Sequence, residues 1–329
     1  MQTTPRNIIM NLVAKKEVNN VPAAIIGSIL AGSYFIPELK RFYTLSYVNE
    51  ASSYGTGIYD LLFVSFYLCV WLTVRQFLMR NVPTHFIAKR SRTRFKEQFY
   101  AFVMYSFSFG FGMYCALNSK WYNNYSHFFI GYPHKYVDVT VKTYYLINLS
   151  LWIHMIFVLC IEKKRNDHYQ MMGHHMVTVA LISGSWFFNL SRIGNCIFVL
   201  FDAADILLAL AKCLNYAKLK NACDAVFVSF VLVWAYTRHY VYFYVLYEAV
   251  HYLDYEPYKW NPSKGEFGSV YVHVVFVFLL VVLQVLALYW FWLIIKLLIR
   301  VVNGANANDT RSEDEAEEDE GFSEEEKNK

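Results

Sequence analysis

Long apolar runs separated by short polar breaks dominate the chain from about residue 20 to residue 301. The runs fall at 21–36, 58–79, 100–117, 139–161, 175–190, 193–213, 223–245 and 269–301, the first and fifth being short and comparatively polar. The others approach the ~20 apolar residues a helix needs to cross a bilayer. None alternates with period two, so a β-barrel pattern is excluded. The expected fold class is an all-α polytopic membrane protein. It has about eight transmembrane helices, or seven if the first lies along the interface.

The flanks differ from the runs. The first 20 residues, "MQTTPRNIIMNLVAKKEVNN", lack the apolar core and small-residue cleavage site of a signal peptide. From residue 302 onward 11 acidic residues face 3 basic ones, a charge of −8, whereas the preceding part carries 15 acidic and 27 basic, a charge of +12. The formal net charge of +4 averages these two parts. A self-repelling tail that cannot bury a core is expected to be disordered. Ser312 and Ser323 each precede acidic residues, which suits an acidophilic kinase as well as a passive solubilising tail. The chain therefore divides into an N-terminal segment 1–89 with two candidate transmembrane helices, a transmembrane domain 90–301 and an acidic tail 302–329.

Charge also orients the chain. The stretch 80–99 holds Arg80, Lys89, Arg90, Arg92, Arg94 and Lys96 against Glu97 alone, which predicts a cytosolic position. Alternation puts 162–173 and 214–222 on that side, and 118–138 and 246–268 opposite, with the sequon Asn124-Tyr125-Ser126. Eight spans place both termini in the cytosol. The six cysteines (Cys69, Cys115, Cys160, Cys196, Cys213 and Cys223) lie within spans or at their ends, which points to no disulfide framework and no zinc spacing.

Against this apolar ground a few polar residues stand out. His174 and His175 open the fifth run, and Asp202 and Asp205 sit inside the sixth, three residues apart on one helical face. Lys212 continues nearly the same stripe. The turn near Leu190–Ile193 makes the two spans antiparallel neighbours and brings Asp205 to within about one turn of the level of His175. Thr178 lies one turn below His175. A carboxylate beside an imidazole fixes its tautomer and stabilises its cation, which frees the other ring nitrogen as general base or nucleophile. Interfacial histidines and a His/Asp metal site are the competing readings, although the remaining histidines show no clustered repeats. Arg238 and His239 lie in the seventh run, where Arg238 requires an acid or carbonyls within the bundle.

Residues 162–218 resemble the signature of the ceramide synthase (longevity-assurance) branch of the TLC-domain superfamily. The matching positions are Arg165 and Asp167, His174 and His175, Ser185, Trp186 and Asn189, Arg192 and Gly194, Asp202 and Asp205, and Lys212. The flanks Lys142–Glu162 and Arg94–Tyr100 resemble neighbouring family segments, so the likeness covers about residues 90–300. Phe201, Ala204 and Asn166 depart from the animal pattern and indicate a fungal-like member. The resemblance implies N-acylation of a sphingoid long-chain base by fatty acyl-CoA in the endoplasmic reticulum membrane, with fatty acyl-CoA as co-substrate and no cofactor or metal. It makes His174, His175, Asp202 and Asp205 catalytic, and Arg165, Asp167, Asn189, Arg192 and Lys212 substrate-binding or supporting. Asn189 and Arg192 also read as parts of a capped, hydrogen-bonded hairpin. The implied partners are membrane lipids and a homologous synthase or small single-pass regulatory subunit, with no nucleic acid. The competing class is a non-enzymatic lipid-handling or translocon-associated member, which needs neither the double His nor the Asp pair.

Overall fold

The computed structural model describes residues 20–119, 121–122, 124–162, 167–251, 260–261 and 266–302. Arg165 and the acidic tail from residue 303 lie outside these residues. The described chain forms nine α-helices: α1 (Val21–Gly32), α2 (Asp60–Asn81), α3 (Arg92–Leu117), α4 (Val139–Ile161), α5 (His168–Phe187), α6 (Ser191–Tyr216), α7 (Lys220–Ala235), α8 (Tyr242–His251) and α9 (Val270–Val302). A π-helical turn, Tyr236–Val241, joins α7 to α8 without a break. A two-residue antiparallel ribbon, with Trp260 opposite Phe267, precedes α9.

Each apolar run became helix, but the boundaries moved. α3 begins at Arg92, eight residues before its apolar run, because the basic stretch carries no helix breaker. α5 begins at His168 rather than 175, so His174 and His175 lie well inside the helix, about 9 Å from its start at 1.5 Å per residue. Hydropathy marks where a helix becomes apolar, not where it begins. By length and composition four helical segments suffice to cross a membrane: Asp60–Asn81, Lys89–Leu117, Val139–Ile161 and Val270–Arg300. α1 is only 12 residues long. α5 and α6 carry His, Asp, Arg and Lys, which lower their hydropathy, and the π turn divides the seventh run.

Two ion pairs set the direction of α2 and α4. Lys142 Nζ lies 2.7 Å from Asp60 Oδ1, and Arg75 Nη2 lies 2.9 Å from Glu162 Oε1. Because the earlier residues of both helices pair, and then the later ones, the two helices run parallel. The Asp60–Lys142 pair is sealed from solvent. Such a pair persists only where its remaining hydrogen-bonding capacity is met. Lys142 also donates to the carbonyls of Ser46 at 2.9 Å and Gly55 at 2.6 Å. Asp60 Oδ2 accepts from Gly57 N at 3.1 Å and from the Trp186 indole at 3.2 Å. The cluster ties the segment before α2 to α4 and α5.

α3 packs along α6, α2 and α5 pack on α4, and α7 packs on the far side of α6. Tyr144 and Tyr145 of α4, Trp186 of α5 and Phe198 of α6 share one core cluster. α9 lies at the edge of the bundle, touching α5, α7 and α8. It exposes Val274, Val275, Phe278, Val281, Val285 and Leu288. An apolar surface of that kind on a long helix suits contact with lipid.

Candidate active site

The site grows from the α5–α6 turn. Asn189 has φ +61°, the left-handed conformation that Asn tolerates better than most residues. Leu190 N donates to Ser185 O at 2.7 Å and Asn189 N to Trp186 O at 3.3 Å. This is a Schellman closure, which satisfies the last carbonyls of α5 and reverses the chain. Arg192, two residues into α6, donates to the carbonyls of His127 at 2.7 Å and Ile130 at 3.3 Å. It thereby pins the loop after α3 against the turn. Tyr132 of that loop donates to Phe188 O at 2.9 Å. The capped-hairpin account of Asn189 and Arg192 is the one these bonds describe.

Beyond the turn the antiparallel α5 and α6 touch at few points. A cavity separates them, lined from α5 by His174, Thr178, Leu181 and Ser185, and from α6 by Gly194, Phe198, Asp202 and Asp205. α9 closes it with Phe276, Leu280 and Leu283, while Tyr145 and Trp152 of α4 form another wall. The space between its atoms, open solvent at its mouth included, amounts to about 1040 Å³. From Ile193 to Asp205 it runs about 18 Å at 1.5 Å per residue. Phe129 and Tyr132 line the turn end. Gly194 keeps the lining open at that end, since a Cβ there would strike the Tyr145 hydroxyl, which is hydrogen-bonded to Ser185 Oγ.

Polar groups gather at the opposite end. His174 and His175 are buried, and their rings lie 5.7 and 5.4 Å from that of Trp152. The His174 ring also meets Trp290 of α9 at 5.2 Å. His174 lines the cavity, whereas His175 packs behind it. Nδ1 of each imidazole, Oγ1 of Thr178 and Oδ2 of Asp202 are shielded and have no hydrogen-bond partner. The Ser108 hydroxyl lies beside Asp202 and donates to Asn148 Oδ1 at 2.8 Å.

Asp205 serves a different partner from the expected imidazole. Its Oδ1 lies 2.7 Å from Arg238 Nη2. Arg238 also donates to Phe201 O at 2.8 Å and stacks 3.8 Å from the Trp234 ring centre. The buried arginine thus finds both the acid and the carbonyl its sequence position required. α5 and α6 diverge, and the π turn brings Arg238 to the carboxylate; neither feature is visible from a two-helix register.

His174, Asp202 and Asp205 share the cavity, and His175 adjoins it. Asn189, Arg192 and Lys212 do not line it. Asp167 is buried just before α5. Tyr145, Trp152, Trp290 and the Asp60–Lys142 pair escaped the sequence reading. The first three are aromatics in an aromatic-rich chain and carry no distinguishing signal. Lys142 and Asp60 were visible as charges at run boundaries, but such residues usually read as interfacial. Among the described residues no three His, Cys, Asp or Glu side chains converge in a metal-binding group.

The described residues form a helical bundle around an apolar slot with His174, Asp202 and Asp205 at one end, the class of a helical membrane protein, and the TLC domain family (TRAM_LAG1_CLN8) matches residues 94–296. The chain is 35% identical to the sphingosine N-acyltransferase lag1 of Schizosaccharomyces pombe, over 95% of this chain and 82% of that protein. It is 32% identical to the ceramide synthase LAG1 of Saccharomyces cerevisiae, over 85% of this chain and 71% of that one. With mouse ceramide synthase 4 it shares 35% identity over 71% of this chain and 59% of that protein. The chain belongs to the TLC-domain family and, within it, to the ceramide synthase branch.

Proposed function

We propose that this protein is a sphingoid base N-acyltransferase, which moves a fatty acyl group from acyl-CoA to the amine of a long-chain base. The observation that carries the proposal is the apolar cavity with His174, Asp202 and Asp205 at one end. The acyl chain occupies the slot toward Phe129 and Tyr132, and the thioester carbonyl rests beside His174.

Two routes use the same residues. In one, an unprotonated His174 nitrogen attacks the thioester carbonyl, the thiolate of CoA leaves, and the amine then displaces imidazole to give the amide, its surplus proton passing by way of His174 to the thiolate. In the other, His174 takes the amine proton as the amine attacks the thioester carbonyl directly, the C–S bond breaks, and the imidazolium returns that proton to the departing thiolate of CoA. In both, Asp202 supports the imidazolium electrostatically. Asp205, held by Arg238, fixes α6 against the π turn. His175 holds the His174 ring through their shared contact with Trp152.

In this scheme the protein spans the endoplasmic reticulum membrane about eight times, or seven times with the 12-residue α1 along the interface, and its C-terminus is in the cytosol. Residues 90–301 form the catalytic domain and 1–89 brace it through Asp60. Purified full-length protein, supplied with a panel of fatty acyl-CoAs and sphinganine, forms the N-acyl product and free CoA, measured by mass spectrometry and thiol release. Absence of both products in folded protein refutes the proposal in favour of a non-enzymatic lipid-handling role.

A further inference from the structure

One polar pair inside the bundle has no part in the chemistry described so far. His239, in the π turn, has Nδ1 2.9 Å from Gln284 Nε2 of α9. The outer atoms of both groups, His239 Nε2 and Gln284 Oε1, are shielded and have no partner. Spare hydrogen-bonding capacity on shielded atoms of these half-buried side chains is costly unless something uses it.

Its chemistry is defined whichever way the pair is assigned. If the amide N–H donates to Nδ1, then Nε2 carries the ring proton, leaving one N–H donor and one carbonyl acceptor. If the amide is turned, Nδ1–H donates to the carbonyl, leaving a ring nitrogen acceptor and an amide donor. In either arrangement one donor and one acceptor remain, one on each side chain. That is the complement of a hydroxyl group, which accepts and donates at once.

The pair also sits at the level of the reaction centre. On α9, Trp290 meets the His174 ring and the next residue, Phe291, meets the His239 ring at 4.8 Å. Arg238, adjacent to His239, holds Asp205, and Leu283, adjacent to Gln284, lines the cavity. A π turn supplies His239, and such turns recur where a helix is adapted for function.

We propose that His239 and Gln284 form the subsite for a hydroxyl of the sphingoid base, an inference that rests on the N-acyltransferase function above. A sphingoid base carries its hydroxyls beside its amine. Binding one hydroxyl between α9 and the π turn directs the amine toward Asp205 and His174. The pair is covered in this structure, so seating the base moves α9 outward, which its place at the bundle edge permits.

The test compares sphinganine with analogues lacking the C1 or the C3 hydroxyl, using wild-type full-length protein, Gln284→Leu and His239→Phe. Wild type is expected to prefer sphinganine over one of the analogues by at least about tenfold in kcat/KM. Each variant is expected to bring that ratio toward one by raising the KM for sphinganine while leaving the KM for acyl-CoA unchanged. Equal use of sphinganine and both analogues by wild type overturns the subsite, and this comparison does not depend on either variant folding. Undiminished preference in both folded variants also overturns it. A wild-type protein that acylates none of these amines removes the N-acyltransferase function itself, and the subsite with it.

Discussion

At the residue scale the four conspicuous polar side chains divide by environment. His174 touches the cavity and His175 backs it; Asp202 has an unpartnered oxygen and Asp205 is paired. Replacing His174 with Ala is expected to lower kcat by at least about 10²-fold, the usual range for a lost base, in protein that still inserts and melts near wild type. Undiminished turnover there removes His174 from the mechanism. Asp202→Asn is expected to lose activity with little loss of stability. Asp205→Asn should lose both, because it strands Arg238 within the bundle at a cost on the order of 3 kcal/mol. Comparing their melting temperatures in detergent separates the two roles, and equal melting would contradict the pairing. Asn189 offers a further contrast. Asn189→Gly keeps the left-handed turn and should retain activity, while Asn189→Val costs about 1–2 kcal/mol. If Asn189→Gly abolished turnover at wild-type stability, the residue would have a substrate-facing role beyond the turn.

At the scale of elements, two connections govern the site. The first is the loop that Arg192 and Tyr132 anchor at the turn end of the cavity. Phe129→Ala deepens the slot and is expected to shift preference toward longer acyl chains, read from product distribution with an acyl-CoA panel. An unchanged distribution would mean that the acyl chain does not reach this end. The second is the sealed Asp60–Lys142 pair, which binds α2 to α4 and, through Trp186, to α5. Lys142→Met alone leaves a buried carboxylate uncompensated and should cost about 3–5 kcal/mol. The double variant Asp60→Leu with Lys142→Met should cost less than the sum of the two singles. Additive losses in thermal unfolding would show that the charges do not interact as the geometry describes.

At the scale of the whole molecule, charge distribution and helix direction make a single topological scheme. The parallel course of α2 and α4 agrees with an intervening α3 that returns across the same layer. Protease added to intact microsomes is expected to remove an epitope at the C-terminus without detergent, because the proposed topology puts the basic stretch 80–99 and the acidic tail on the cytosolic side. Survival of the epitope until detergent is added would invert the scheme. Deleting residues from Asn306 onward should leave acyl transfer intact, since eleven acids near the site would repel the phosphates of CoA. Complete inactivity of a stably folded truncation would give the tail a direct role.

What the sequence by itself determined was the number and order of the apolar segments and the polar residues that stand out within them. Burial in an apolar bundle is expensive for His, Asp and Arg, so their presence in such runs is informative without coordinates. The family likeness rested on the same residues. Tertiary structure decided how those residues divide their roles. Helical periodicity put Asp202 and Asp205 on one face, but only the spread of α5 from α6 opened a cavity between them, and only the π turn gave Asp205 to Arg238. The Schellman closure at Asn189, the Asp60–Lys142 pair across 82 residues and the joining of His239 to Gln284 across 45 were likewise beyond a linear reading. Spacing along a chain specifies neighbours only within one helix. Partners on different helices are fixed by how bulky side chains such as Trp152, Tyr145 and Trp290 let the helices pack.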